Sequence, residues 1–162
     1  MIEIIASSLS DTHQTAESVA EIVKSGDLIL LVGDLGAGKT AFTQGFGASL
    51  GVKEAITSPT FTLARTYQGT LEIHHLDVYR IDQIEEVRDL ALPELFEGNS
   101  VTLIEWGDQI ISALPKDHLE ISFEYGEADN ARVITISANG SSWNSRMPDL
   151  IQKLEIKGLS KC

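Results

Sequence analysis

Cysteine is nearly absent: the chain of 162 residues has one, Cys162, at its last position. A single thiol can build neither an internal disulfide nor a cysteine-based zinc cluster, and a reducing, cytoplasmic setting suits such a chain best. Long apolar runs are lacking as well. The longest, Leu28–Val32, falls far short of the roughly 20 residues that cross a bilayer. The first lysine is Lys24, so no positive region precedes an apolar stretch, and neither export nor membrane anchoring is expected. Positive charge is scarce, with 12 Lys and Arg against 24 Asp and Glu and a formal net charge of −12. Affinity for nucleic acid comes largely from lysine and arginine neutralising phosphates. No strong direct nucleic-acid binding is therefore expected, and a part in RNA chemistry would run through another protein. The exception is the tail: residues 141–162 carry a net +2, leaving −14 for the rest. The ordinary reading of such a tail is a solvated helix face.

What is present reads as one globular domain over residues 1–162, at 43% hydrophobic and 22% charged residues. A short strand at Ile2–Ile5 precedes Ser10 and Asp11, candidate N-caps of a helix whose apolar side is Ala16, Val19, Ala20 and Val23, ending near Ser25. Gly26 stops it. Leu28–Val32 is continuously apolar, as a parallel strand buried on both faces requires. After a loop at Gly33–Gly38, Thr40–Leu50 reads as a helix closed by Gly51. Thr62–Tyr67 and Leu71–Tyr79 form a hairpin about Gln68-Gly69-Thr70. Helical turns follow at Ile84–Leu92 and Pro93–Glu97, then a buried strand at Val101–Ile104 and a short helix at Gln109–Leu114. Strands at Leu119–Tyr125 and Arg132–Ser137 are joined by a polar segment, and the residues beyond Asn139-Gly140 read as helical. The expected fold is α/β: a central, largely parallel sheet flanked by helices on both sides, with antiparallel strands added late in the chain.

Gly33-Asp34-Leu35-Gly36-Ala37-Gly38-Lys39-Thr40 matches Gly-x-x-x-x-Gly-Lys-Ser/Thr, placed between a buried strand and a helix as that motif requires. Glycines let the backbone turn its N–H groups inward, so several donors and the positive end of the next helix converge on phosphates. Lys39 adds a full charge, and the Thr40 hydroxyl is suited to magnesium, which prefers oxygen ligands and bridges the last two phosphates. No Asn-Lys-x-Asp, a guanine-reading sequence, occurs in the chain. That absence tilts the expected nucleotide to ATP.

Such a site needs a further acid at the carboxyl end of a neighbouring strand, and two positions compete, Asp77 and Glu105. Asp77 follows a strand of mixed character; Glu105 follows four apolar or small residues that read as fully buried. In an open parallel sheet both can reach a ligand outside the strand ends. His74 and His75 are strand neighbours, point to opposite faces and cannot chelate one ion together, so packing is the expected role of both.

Four blocks in order then carry a resemblance over nearly the whole chain: Gly33–Thr40, Ser58-Pro59-Thr60, His75-Leu76-Asp77-Val78-Tyr79-Arg80, and Leu103-Ile104-Glu105-Trp106. Together they resemble the TsaE (YjeE) family, bacterial P-loop ATPases of tRNA threonylcarbamoyladenosine biosynthesis. The resemblance implies a P-loop NTPase fold, with ATP and magnesium as ligands. It implies that Thr40 and Glu105 take the magnesium site and that Gly36, Ala37, Gly38, Lys39, Thr40 and Ala41 wrap the phosphates, and Gly33 and Asp34 are expected to bind the nucleotide with them. It further implies that Ser58-Pro59-Thr60 is a switch-like loop with Thr60 facing the outer phosphate or a water. By the same resemblance Asp77 is the aspartate of a second acidic motif, Thr12 lies by the nucleoside, and Trp106 stands beside the metal-binding glutamate. Partners similar to TsaD and TsaB are implied, with slow ATP hydrolysis acting on their complex rather than transferring the modification. The acidic stretch Glu85–Glu97 and the basic tail are individual to this chain. The rival readings are a small-molecule kinase, against which the five scattered arginines count, and a binding module that does not hydrolyse nucleotide.

Overall fold

The computed structural model describes residues 1–59, 64–79 and 92–159, without the side chains of Leu92 and Gln109. Among the described residues seven strands form one sheet: β1 (Ile2–Ala6), β2 (Leu28–Gly33), β3 (Ala64–Gln68), β4 (Glu72–Asp77), β5 (Ser100–Glu105), β6 (His118–Tyr125) and β7 (Arg132–Asn139). Their spatial order is β1-β7-β6-β2-β5-β4-β3. The middle of the sheet is parallel, β2 pairing with both β5 and β6, and β4 with β5. All other pairings are antiparallel: β1 with β7, β3 with β4, β6 with β7. The antiparallel additions are thus not only late ones. β1 opens the chain yet lies at the far edge, where alternation of buried Ile2, Ile4 and Ala6 with exposed Glu3 and Ile5 fits a strand covered on one face.

Apolar residues on both faces of β2 divide the core. Ile29 and Leu31 join the larger cluster with Phe42, Phe46, Leu103, Ile121 and Trp143, whereas Leu28 and Leu30 face Leu76, Ile104, Ile110 and Leu114. The larger side is covered by α1 (Leu9–Ala20), α2 (Lys39–Ser49) and α4 (Ser141–Ile156). On the smaller side, the described residues provide the single turn α3 (Leu92–Leu95) and a 3-10 helix at Gly107–Ala113. The latter is the short helix expected over Gln109–Leu114, wound as a 3-10 helix and beginning two residues earlier. The expected helix at Ile84–Leu92 lies almost wholly outside the described residues.

Local chemistry sets the element ends. The cap of α1 is Ser8, whose Oγ accepts from the Asp11 N–H, rather than Ser10 or Asp11; Asp11 Oδ2 accepts in return from the Ser7 N–H at 2.8 Å. The helix ends at Ala20, earlier than its apolar periodicity implies. α1 and α2 approach closely because residue 45 is glycine: a Cβ there would lie 2.8 Å from the His13 Cα.

The basic tail is not a free face. Arg146 is buried and pairs bidentately with Asp27 at the start of β2, at 2.6 and 2.9 Å, while its guanidinium stacks over Trp143. Lys153 and Lys157 reach Glu21 at 3.1 and 2.7 Å, and the hydrogen bond from Lys157 holds the Glu21 carboxyl below its ordinary range. The expectation of a merely solvated tail is corrected accordingly: its charges fasten α4 to the body. No helix of the described residues is long and apolar enough to cross a membrane.

Candidate functional site

The parallel strands β2, β4 and β5 deliver their carboxyl ends to one place, where the glycine loop leaves β2 for α2. Gly38 ends the loop with φ +123°, a conformation that L side chains rarely adopt, and caps α2 with no side chain of its own. Helix α2 starts at Lys39, so its unpaired amides and positive dipole end open on the loop. The Lys39 ammonium donates to the carbonyls of Gly33 and Asp34, the latter at 3.0 Å, and lies 4.3 Å from the centre of the Trp106 ring. Burial pulls its pKa below the ordinary 10.5, against the opposing pull of Glu105, then Asp77, Asp34 and Asp108.

A cleft of about 300 Å³ is lined by Gly36, Gly38, Lys39, Thr40, Ala41 and Ser58, with Asp77, Glu105, Trp106 and Leu35 completing its wall. Asp77 and Glu105 are register partners on β4 and β5, both nearly buried, at 5% and 3% exposure. The two carboxylates that compete in the sequence therefore stand side by side. Asp77 Oδ1 accepts the Tyr79 N–H at 2.9 Å. Trp106, the one non-glycine among the described residues with positive φ (63°), turns the chain sharply after β5. A bulky residue in that region carries strain of order 1–3 kcal/mol. Here the turn sets the indole between Lys39 and the Tyr79 ring, the latter 4.9 Å away.

On the other side of the loop a hollow of about 400 Å³ shares Gly36, Gly38 and Ala41 as walls and is completed by Ser7, Ser8, Leu9, Thr12, Asn130 and Arg132. Thr12 therefore lies across the loop from the acids. Gly33, Asp34 and Ala37 line neither space; the first two offer their carbonyls to Lys39 and Ala37 is packed into the core. Thr60 and Arg80 lie outside the described residues. Unforeseen in the sequence are Asn130 and Arg132, from a hairpin loop and strand far along the chain, and Tyr125, whose hydroxyl donates to the Leu35 carbonyl at 2.9 Å. Arg132 lies over the Tyr125 ring, 4.7 Å from its centre. His75, expected only to pack, is buried with Nε2 2.8 Å from Glu105 Oε2.

Among the described residues no three His, Cys, Asp or Glu side chains gather into a metal cluster. The donors of the cleft are oxygens: the Thr40 and Ser58 hydroxyls and the carboxylates of Asp77 and Glu105. That set fits a hard cation that keeps waters and takes ligand phosphates, as magnesium does, better than a soft metal in an all-protein cage.

Fold and site together define an α/β protein with a mixed seven-stranded sheet and a lysine- and carboxylate-lined cleft at the ends of its parallel strands. The family model described as "Threonylcarbamoyl adenosine biosynthesis protein TsaE" matches residues 6–134. The tRNA threonylcarbamoyladenosine biosynthesis protein TsaE of Bacillus subtilis (strain 168) is 40% identical over 141 residues, covering 86% of this chain and 87% of the relative. That of Treponema pallidum (strain Nichols) is 39% identical over 133 residues, 82% of this chain and 98% of the relative. A crystal structure of Bacillus subtilis YdiB superimposes with a TM-score of 0.81 at 34% identity, covering 94% of this chain and 97% of that one. The chain belongs to the TsaE family, whose members serve tRNA threonylcarbamoyladenosine biosynthesis.

Proposed function

We propose that this protein is a cytoplasmic ATPase with a P-loop NTPase fold, binding ATP with magnesium and hydrolysing it slowly to act on a complex of TsaD-like and TsaB-like partners. The observation that carries the proposal is the convergence of Gly36, Gly38, Lys39, Thr40, Ala41, Asp77 and Glu105 on one cleft. Amides at the start of α2 and the Lys39 ammonium bind the phosphates, and Lys39 exchanges its bonds to Gly33 and Asp34 for phosphate oxygens. The hollow bounded by Ser7, Ser8, Thr12, Asn130 and Arg132 takes the nucleoside. Thr40 and Glu105 hold magnesium, with Asp77 beside them ordering water. Bound magnesium supplies charge neutralisation on the outer phosphates.

Hydrolysis joins a water oxygen to the terminal phosphorus and breaks the bond from that phosphorus to the oxygen of departing ADP, one proton of the water staying on the released phosphate and the other passing to solvent; the carboxylates of Asp77 and Glu105 orient the water. Lys39 is the one cation lining the cleft among the described residues, so little positive charge is available for the equatorial oxygens of the transition state. That scarcity supports slow turnover alone and completion of the site by a partner. The net charge of −12 supports action beside tRNA through proteins rather than by holding the nucleic acid.

Calorimetry with ATP and with GTP, each with magnesium and with a chelator, tests the binding reading. Saturable ATP binding strengthened by magnesium is expected. Absence of ATP binding, or a preference for GTP, would overturn it.

A further inference from the structure

His75 is more costly to the core than packing requires. Its side chain is fully buried, and Nδ1 has no hydrogen-bond partner among the described residues. A buried polar atom left unpaired costs about 1–3 kcal/mol, which a leucine in the same place would not incur. What the histidine offers in return is its other nitrogen, Nε2, 2.8 Å from Oε2 of Glu105, whose side chain is 4% exposed. A carboxylate oxygen accepts hydrogen bonds, so in this contact Nε2–H is the donor.

Strand geometry explains why the pair meets. His75 precedes Asp77 by two residues on β4 and so points to the same face; it pairs in register with Leu103, two before Glu105 on β5. Both acids of the cleft and this imidazole therefore occupy one face of adjacent parallel strands, with the imidazole on the core side of Glu105. His74 points the other way, to Thr66 and Glu72.

We propose that His75 is a positioning residue: its Nε2–H fixes the Glu105 carboxylate so that the glutamate meets magnesium in one orientation. The inference rests on the reading of the cleft as a magnesium–ATP site. Hydrogen bonds to metal-ligating side chains hold ligand geometry, and their loss typically costs about 10- to 100-fold in metal affinity.

The test titrates magnesium against protein and ATP, following Trp106 emission in a Trp143→Phe background. His75→Leu should raise the half-saturating magnesium concentration about 10- to 100-fold, while ATP affinity measured by calorimetry in a chelator stays within about twofold of the parent. His75→Gln, whose side-chain amide donates from near the position of Nε2, should recover most of the loss. In a Glu105→Gln background, His75→Leu should add nothing. Nitrogen-15 NMR of the wild-type imidazole should show the Nε2–H tautomer, a readout independent of magnesium, of activity and of any variant's folding. A magnesium shift below about twofold, an equal loss of affinity in chelator, additivity with Glu105→Gln, or an Nδ1–H tautomer would each overturn the proposal. A wild-type protein without magnesium-dependent ATP binding would instead overturn the underlying reading, and this inference with it.

Discussion

Replacing Lys39 by methionine removes one charge while leaving most of the stem that lies beside Trp106. Its loss has two parts. The ammonium no longer meets phosphate oxygens, and it no longer offsets Asp77 and Glu105, which are neighbours in register and almost buried. Phosphates entering the cleft of the variant face both carboxylates without the intervening cation. Truncating one partner of a buried, hydrogen-bonded charge pair costs about 2–5 kcal/mol, and at about 1.4 kcal/mol per decade this is roughly 30- to 4,000-fold in affinity. The uncompensated acids place the expectation toward the upper part of that range. Lys53→Met, in an exposed loop away from the cleft, makes the same change in net charge and should shift affinity less than about twofold, since exposed charges at a distance are screened. Isothermal titration of ATP with magnesium into the wild type and both variants gives the comparison, with thermal unfolding to establish that each is folded. A loss below about tenfold for Lys39→Met, or a loss matched by Lys53→Met, would refute the assignment.

The two tryptophans should divide cleanly: Trp106 lies 4.3 Å from the Lys39 ammonium, whereas Trp143 is buried under Arg146 in the tail helix. Emission of Trp143→Phe should respond to ATP and that of Trp106→Phe should not; the opposite result would misplace the site. Affinity for ATP should fall in alkaline solution from a pH below 10.5, because burial lowers the pKa of Lys39 in the free protein and bound phosphates raise it. Affinity is then lost between those two values, and a titration flat until above 10.5 would contradict this. Arg146→Met should destabilise the fold by about 3–5 kcal/mol by stranding Asp27, or roughly 6–20 °C in melting temperature for a chain of this size. The double variant Arg146→Met with Asp27→Asn should lose less than the two single losses added together, and additivity in thermal unfolding would exclude the coupling.

The parallel centre of the sheet was legible because burial on both faces leaves a local trace: Leu28–Val32 is apolar without interruption, and Val101–Ile104 is broken only by Thr102. The glycine loop was legible for the same reason, since its chemistry is contiguous. Long-range pairing left no such trace. Nothing near Ile2–Ala6 records that β1 crosses the molecule to lie beside β7. Nor does anything near Arg146 record an aspartate 119 residues away. The competition between Asp77 and Glu105 was undecidable from local pattern because register makes them neighbours in one cleft. His75 could have been found: strand periodicity puts it on the face of Asp77, and its separation from His74 says only that the pair cannot act together. Asn130 and Arg132 had no signal, as their place by the loop follows from β6 and β7 packing beside β2.

The central claim is that this cleft turns over ATP and that partner proteins complete it. Steady-state phosphate release, measured for the chain alone and with a TsaD–TsaB-like complex, tests it most directly. The account predicts slow release alone and a rise of several orders of magnitude with the complex, within the roughly 10³–10⁵ that a positioned arginine supplied in trans is worth, with Glu105→Ala abolishing the stimulated rate. Fast release by the chain alone, unchanged by the complex, would contradict it.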